Sequence, residues 1–426
     1  MDTIFALATA PGRAGVAVVR VSGPQAWEAV RELAGSVPEP RRVVHRDLRT
    51  PQGDLLDSGL VVVFEKGRSF TGERVAEFMI HGSIAAVAAL QQELGSMKGL
   101  RLAEPGEFTR RALMNGKLDL TQVEALADLI DAETQGQRRQ ALRLLDGEMG
   151  RKVSQWRAGL MRGAALLEAS IDFADEDLGD FTAEIIHALA PVLEGLEQEL
   201  SGLRGRERMR SGFEVAIVGP PNIGKSTLLN HLAGRDAAIT SHRAGTTRDV
   251  IEVRMEIGGF PVTLLDTAGI RETDDEVESI GIARARARAE AADIRVVLKD
   301  TPGERGAVDA RESDLVYVGK GDLTDALDAI SGVTGLGVDG LLARLEAFFR
   351  HATEIDGVAV RERHRQALQN ARGSLVEAME GLETGLSVEL VAFEVASTMR
   401  HLDVLIGKVD VEDLLGDIFK SFCIGK

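Results

Sequence analysis

The sequence predicts a multidomain chain of the α/β and α+β classes. It comprises a small α+β domain at the N-terminus, a helical bundle, and an α/β domain inserted into that bundle. Three changes of hydrophobic pattern predict this. Short alternating apolar runs broken by turn residues occupy 1–118. Apolar residues at helical spacing dominate 119–208 and 355–426. Continuous apolar strands alternate with helical stretches over 209–354.

In the first segment, Val16-Ala-Val-Val-Arg-Val21 reads as a strand between Pro11-Gly12 and Ser22-Gly23-Pro24. Leu60-Val-Val-Val-Phe64 reads as a second, ended by Glu65-Lys66-Gly67, and 83–94 as a helix. In the second segment, Leu142, Leu145, Met149, Val153, Trp156, Leu160, Leu167 and Ile171 recur at a three/four spacing, with Ala164 filling the gap. This predicts one long helix with a single apolar stripe. Leu189, Val192, Leu196, Leu200 and Leu203 continue the bundle over 185–204. In the third, Val215-Ala-Ile-Val218, Val262-Thr-Leu-Leu265 and Val296-Val-Leu298 read as strands buried on both faces of a parallel sheet, with Val316-Tyr-Val318 a weaker case. Beyond 355, helices are expected near 361–383, 388–405 and 410–420.

Composition excludes several classes. Lys and Arg total 50 against 67 Asp and Glu, a net charge of −17 across 426 residues. Such a chain does not hold nucleic acid by bulk positive charge, which leaves local patches or a second protein for that task. Cys423 is the single cysteine, so no intrachain disulfide forms, and Cys/His zinc spacings are absent. A reducing cytoplasmic compartment fits. No apolar run approaches the roughly 18 residues of a membrane span, and the start at Met1-Asp2 lacks the basic region of a signal peptide. The 46 glycines predict many tight turns and close backbone approaches.

The strongest motif is Gly219-Pro-Pro-Asn-Ile-Gly-Lys-Ser226, a phosphate loop between a buried strand and a helix. Backbone N–H groups there curl around phosphate oxygens, and the helix N-terminus adds a favourable dipole. Lys225 neutralises the β- and γ-phosphates, and the Ser226 hydroxyl is placed for Mg2+. Asp266-Thr267-Ala268-Gly269 follows the strand ending at Leu265. Its carboxylate reaches Mg2+ through water, and Gly269 offers its N–H to a γ-phosphate. Gly245-Thr246-Thr247-Arg248-Asp249, between the two, is expected to be a switch loop.

Gly319-Lys320-Gly321-Asp322 resembles the guanine-reading motif of GTPases, with Ser331-Gly-Val-Thr-Gly335 after it. Asp322 accepts from guanine N1 and N2, which adenine does not offer, and this disfavours an ATPase. Gly319 stands where Asn is usual, so weaker guanine binding is expected, by about 0.5–1.5 kcal/mol. Ras-like enzymes place a water-orienting Gln after the Asp-x-x-Gly motif. Here Ile270 stands there, and Glu278 in Asp274-Asp-Glu-Val-Glu278 is the candidate substitute. The expected nucleotide set is Asn222, Ile223, Gly224, Lys225, Ser226, Thr227, Ser241, Thr246, Thr247, Asp266, Thr267, Ala268, Gly269, Lys320, Asp322 and Ser331, with Lys225 and Glu278 catalytic.

With Asp2–Gly23 opening the chain, Pro105–Leu120 closing the first domain, Ala244-Gly-Thr-Thr-Arg-Asp249 as the switch and Phe422-Cys-Ile-Gly-Lys426 at the end, the sequence resembles the MnmE (TrmE) family of tRNA modification GTPases. The resemblance implies a cytoplasmic homodimer joined through a folate-binding N-terminal domain, and a Ras-like G domain inserted in a helical domain. It implies an FAD-dependent MnmG-type partner and a tRNA substrate. A tetrahydrofolate derivative would supply the one-carbon unit for an aminomethyl or carboxymethylaminomethyl group at C5 of the wobble uridine. It implies that Ser226 and Thr247 hold Mg2+. Asn222, the carbonyls of Ser241 and Arg243, and Thr246 would hold K+. Glu278 would orient water through a second water. Arg20, Glu77, Lys117 and Lys426 would contact folate. Cys423 lies in the terminal motif without an assigned role. A regulatory GTPase in ribosome assembly is the alternative reading. It would need an attached basic RNA-binding module, and the helical segments here are mixed or acidic.

Overall fold

In a computed structural model the described residues are 2–172, 181–234, 252–266, 287–301, 311–409, 419 and 425. Two compact units emerge, Met1–Ala127 with Asp403–Lys426, and Asp128–Leu402.

The first unit carries a six-stranded sheet. Its strands are β1 (Thr3–Leu7), β2 (Ala14–Ser22), β3 (Val44–Arg49), β4 (Leu55–Phe64), β5 (Val75–Gly82) and β6 (Leu100–Leu102), in the order β3-β4-β5-β2-β1-β6. Neighbours run antiparallel except β1 and β6. Alternation along each strand gives the sheet two different faces. Phe5, Val19, Val21, Val61, Val63 and Phe78 pack with Val30 and Leu33 of α1 (Ala26–Ala34) and Leu90 and Leu94 of α2 (Ile84–Ser96). On the other face Ile4 and Ala6 meet Phe108 of α3 (Glu107–Met114). Arg20 and Ser22 stand opposite Ala6 and Ile4, so they share that face. Farther on, Leu120 and Val123 of α4 (Leu120–Ile130) pack with Phe419.

The described helices that begin in the second unit are α5 (Gln135–Leu145), α6 (Glu148–Asp172), α7 (Thr182–Ser201), α8 (Leu203–Ser211), α9 (Lys225–Ala233), α10 (Val338–Ala352), α11 (Glu362–Thr384) and α12 (Val388–Ile406). The predicted long stripe is divided between α5 and α6. Gly147 takes φ +81°, a left-handed turn that breaks the helix and shifts its phase. Leu144 is therefore buried while Leu142 is exposed, and the stripe resumes at Met149, Val153, Trp156, Leu160 and Leu167. The expected helix at 410–420 lies outside the described residues apart from Phe419.

The sheet of this unit has the order β11-β10-β7-β9-β8, with β7 (Phe213–Val218), β8 (Glu252–Ile257), β9 (Phe260–Asp266), β10 (Ile294–Lys299) and β11 (Leu315–Val318). All pairs are parallel except the β8 edge. Val215, Ile217, Val262, Leu264, Val296 and Leu298 face α9 and α10. Ala216, Val218, Leu265 and Val297 fill the opposite face. Phe213 and Phe349 lie 4.4 Å apart between ring centroids and fix α10 on the sheet.

The chain enters this sheet from α8 and returns to the helices through 353–361. That return is gripped from below. Glu199, fully buried, accepts from the N–H groups of Val358 and Ala359 at 3.0 and 3.1 Å. Arg206 donates to the Ala359 carbonyl at 2.9 Å and pairs with Glu199 at 3.4 Å. No described helix is long and apolar enough to cross a membrane.

Candidate functional site

Two loops and the end of a strand converge at the carboxyl edge of the parallel sheet, where α/β folds bind ligands. The first leaves β7. Gly219 takes φ +154°, and a side chain there would meet the Leu298 carbonyl at 2.6 Å, so glycine is what lets the loop leave the sheet. Asn222 at φ +60° and Gly224 at φ +106° keep the loop curled until α9 begins at Lys225. Lys225 is 6% exposed, and its ammonium donates to the carbonyls of Gly219 and Pro220 at 2.8 Å each. Burial pushes this ammonium below its ordinary pKa, with the Asp266 charge acting against that. Burial works against the charged form, while the Asp266 carboxylate favours it, as an anionic ligand in the loop would.

The second element is the end of β9. Asp266 pairs in register with Ile217 and is 3% exposed. The Ser226 hydroxyl donates to its carboxylate at 2.8 Å. A hydroxyl and a carboxylate together form an oxygen donor pair that fits Mg2+, which takes few protein ligands and shares phosphate oxygens.

The third element follows β11. Lys320 adopts φ +52° and Asp322 sits in a short 3-10 turn, Gly321–Leu323. Ser331, 1% exposed, donates to Asp322 at 2.6 Å and accepts from the N–H of Val333 at 3.2 Å. A cavity of about 270 Å3 joins the first and third elements, lined among others by Asn222, Gly224, Thr227, Lys320, Asp322 and Ser331. Of the sequence-predicted set, the fold brings Asn222, Ile223, Gly224, Lys225, Ser226, Thr227, Asp266, Lys320, Asp322 and Ser331 to one edge. Ser241, Arg243, Thr246, Thr247, Thr267, Ala268, Gly269 and Glu278 lie outside the described residues. Two glycines in the third element escape sequence reasoning. A side chain at Gly319 would meet the Ile223 carbonyl at 2.7 Å, and one at Gly332 would meet the Leu228 N–H at 2.5 Å. Nothing in the local sequence signals either approach.

In the first unit, Arg20 and Glu77 face each other across β2 and β5, and Arg20 donates to Glu77 at 2.8 Å. The guanidinium also lies over the Phe70 and Phe108 rings at 5.5 and 5.7 Å. Lys117 reaches the same loop as Phe70 by donating to the Gly67 carbonyl at 2.6 Å. Asn115 holds that loop through the Thr71 carbonyl at 2.7 Å. Gly425 lies so close to Leu7 that a side chain there would strike the Leu7 carbonyl. Cys423 and Lys426, on either side of it, lie outside the described residues.

Residues 3–117 match the family profile described as GTP-binding protein TrmE N-terminus, and 120–423 match that of the MnmE helical domain. The chain is 53% identical over 429 residues to the tRNA modification GTPase MnmE of Roseobacter denitrificans, covering 100% of both. It is 54% identical over 429 residues to that of Ruegeria pomeroyi, again covering 100% of both. Among solved structures it is similar to Era in complex with MgGDPNP and nucleotides of 16S ribosomal RNA. That match has 24% identity over 38% of this chain and 66% of the other, at a TM-score of 0.26, too low to carry weight.

Proposed function

The chain belongs to the family of tRNA modification GTPases called MnmE, and from that premise we propose a potassium-activated GTP hydrolase that works with an FAD-dependent partner on the wobble uridine of certain tRNAs. The observation that carries the reading is the convergence on one sheet edge of Lys225, the Ser226–Asp266 pair and the Ser331-held Asp322.

Each group has a role in that reaction. Backbone N–H groups of 222–226 and the Lys225 ammonium draw the β- and γ-phosphates into the loop. Asp322 accepts from the guanine edge, and Ser331 leaves it one orientation from which to do so. Ser226 and Thr247 hold Mg2+, with Asp266 behind them. Asn222, Thr246 and the carbonyls of Ser241 and Arg243 hold K+. When bound, the two cations offset the negative charge that grows between the β- and γ-phosphates in the transition state. Glu278 orients the attacking water in place of the glutamine that Ile270 displaces.

We assign the four-part division at 118, 208 and 354 to a folate-binding domain, a helical domain and an inserted Ras-like G domain. The packing of α11, which follows the sheet, along α7, which precedes it, supports one helical domain interrupted by another. In the first unit Arg20, Glu77 and Lys117, with Lys426, contact a tetrahydrofolate derivative. A pterin offers an amino group and a ring N–H side by side, which suits the Glu77 carboxylate. Homodimerisation through this domain and a cytoplasmic location complete the proposal. Nucleoside analysis of tRNA from cells lacking the protein tests it. Loss of the modified wobble uridine is expected, restored by the wild-type chain and not by Lys225→Ala, and an unchanged nucleoside profile would overturn it.

A further inference from the structure

Gly319 occupies the position where the guanine-reading motif ordinarily carries Asn. Sequence reasoning treats this as a lost contact that Gly319→Asn would restore. The structure points elsewhere. Gly319 is buried, and its missing Cβ faces the phosphate loop. A Cβ built there lies 2.7 Å from the Ile223 carbonyl oxygen and 2.8 Å from Ile223 Cγ1. The first neighbour is backbone, so no rotamer change relieves it.

One of the two loops must give, and their restraints differ. The Gly319 N–H donates to the Lys299 carbonyl at 2.9 Å, and the Gly321 N–H to the Ile330 carbonyl at 2.8 Å. Leu323 closes back on Lys320 at 2.8 Å, and Ser331 holds Asp322 at 2.6 Å. On the other side, Lys225 secures the carbonyls of Gly219 and Pro220, at the start of the phosphate loop. The Ile223–Gly224 peptide lies beyond that support, and a side chain at Gly224 would meet nothing within 4 Å. In a trans peptide the C=O and the following N–H point opposite ways. The Gly224 N–H therefore faces away from Gly319, and pushing the Ile223 carbonyl turns that donor.

We propose that Gly319 sets the position of the phosphate loop, so that any side chain at 319 weakens guanine-nucleotide binding at the phosphate end of the ligand and not at the base. This rests on the GTP-binding reading above. The test compares GDP with inosine diphosphate, which lacks the exocyclic amino group that Asp322 accepts from, in titrations of the full chain with Mg2+. Gly319→Ala and Gly319→Asn should each lower affinity for both nucleotides by the same factor, roughly tenfold, leaving the GDP/IDP ratio unchanged. Asp322→Asn should instead collapse that ratio. Tighter GDP binding by Gly319→Asn, an unaltered affinity in Gly319→Ala, or a changed ratio in either would overturn the proposal. Melting curves without nucleotide identify a variant that fails to fold. The alanine variant, one methyl larger, then carries the comparison. A wild-type chain that binds neither nucleotide would overturn the underlying GTPase reading instead.

Discussion

Ser226, in the first turn of α9, donates its hydroxyl to Asp266, the last residue of β9, at 2.8 Å. This bond ties the start of α9 to the sheet and keeps together two oxygen donors that would hold Mg2+ in the proposed mechanism. Ser226→Ala removes a proposed Mg2+ ligand and leaves Asp266 buried without that donor. GTP hydrolysis should fall about a hundredfold or more at saturating nucleotide, and the Mg2+ concentration for half-maximal rate should rise. A rate curve against Mg2+ that overlays the wild type would show that the hydroxyl serves packing alone.

In the proposed mechanism Asn222 is a ligand of the second cation, K+. Its backbone is left-handed at φ +60°, so Asn222→Gly deletes the side-chain amide without adding strain. The wild type should hydrolyse GTP faster in K+ than in Na+ at equal ionic strength, and Asn222→Gly should bring the two rates together. Equal rates in the wild type would remove potassium from the mechanism.

Glu199 and Arg206 make the return segment 355–360 part of the helical core. Arg206 is held below its ordinary pKa by burial, against the pull of Glu199. Removing Glu199 leaves the buried Arg206 guanidinium its carbonyl acceptors but takes away its adjacent carboxylate, and it leaves the Val358 and Ala359 amides without their acceptor. Glu199→Ala should therefore cost about 3–5 kcal/mol in denaturant unfolding. Arg365→Ala, which removes a solvent-screened surface pair with Glu362, should cost far less. Comparable losses would mean that the buried pair adds little to the joint.

These sites differ in how openly the sequence displays them. β7, β9 and β10 are legible because strands buried on both faces need unbroken apolar runs. The phosphate loop is legible because its glycines are bound to a fixed spacing. Glu199 is not, since nothing local distinguishes a buried glutamate on an amphipathic helix from a solvated one. It is betrayed by its partners in the fold, among them two amides from a segment more than 150 residues away. Gly147 hides for a different reason. Leu142 and Leu145 keep the three/four spacing on paper, and one left-handed residue moves Leu144 into the core instead. Gly319 reads as a defect until its neighbour, Ile223, is known.

Arg20 and Glu77 neutralise one another across the sheet, and the Phe70 and Phe108 rings flank the guanidinium. If Glu77 accepts from a pterin, Glu77→Gln keeps its shape but gives up the charge-assisted bonds. Binding of a tetrahydrofolate derivative, followed by fluorescence or calorimetry, should weaken about tenfold or more, while GTP hydrolysis by the same protein stays unchanged. Folate binding at wild-type strength would move the pocket away from this pair.

Acid should loosen the first unit at a different cluster. Burial pushes the Glu107 carboxyl up, but the Arg101 guanidinium, the Glu104 N–H and Arg111 together outweigh it and leave its pKa below the usual carboxylate range. Arg101 and Arg111 also bind Asp2, so the cluster pins β6 and α3 to the start of β1. A carboxylate whose folded pKa is depressed stabilises the fold above its unfolded value, and that contribution disappears as pH falls through the folded value. Glu107→Gln should thus melt below the wild type at neutral pH, and the gap should close as pH drops from about 5 to about 2. Gln retains the acceptor oxygen and the side-chain volume, so the closing gap reports the charge alone. A gap that stays constant across this range would assign the loss to packing.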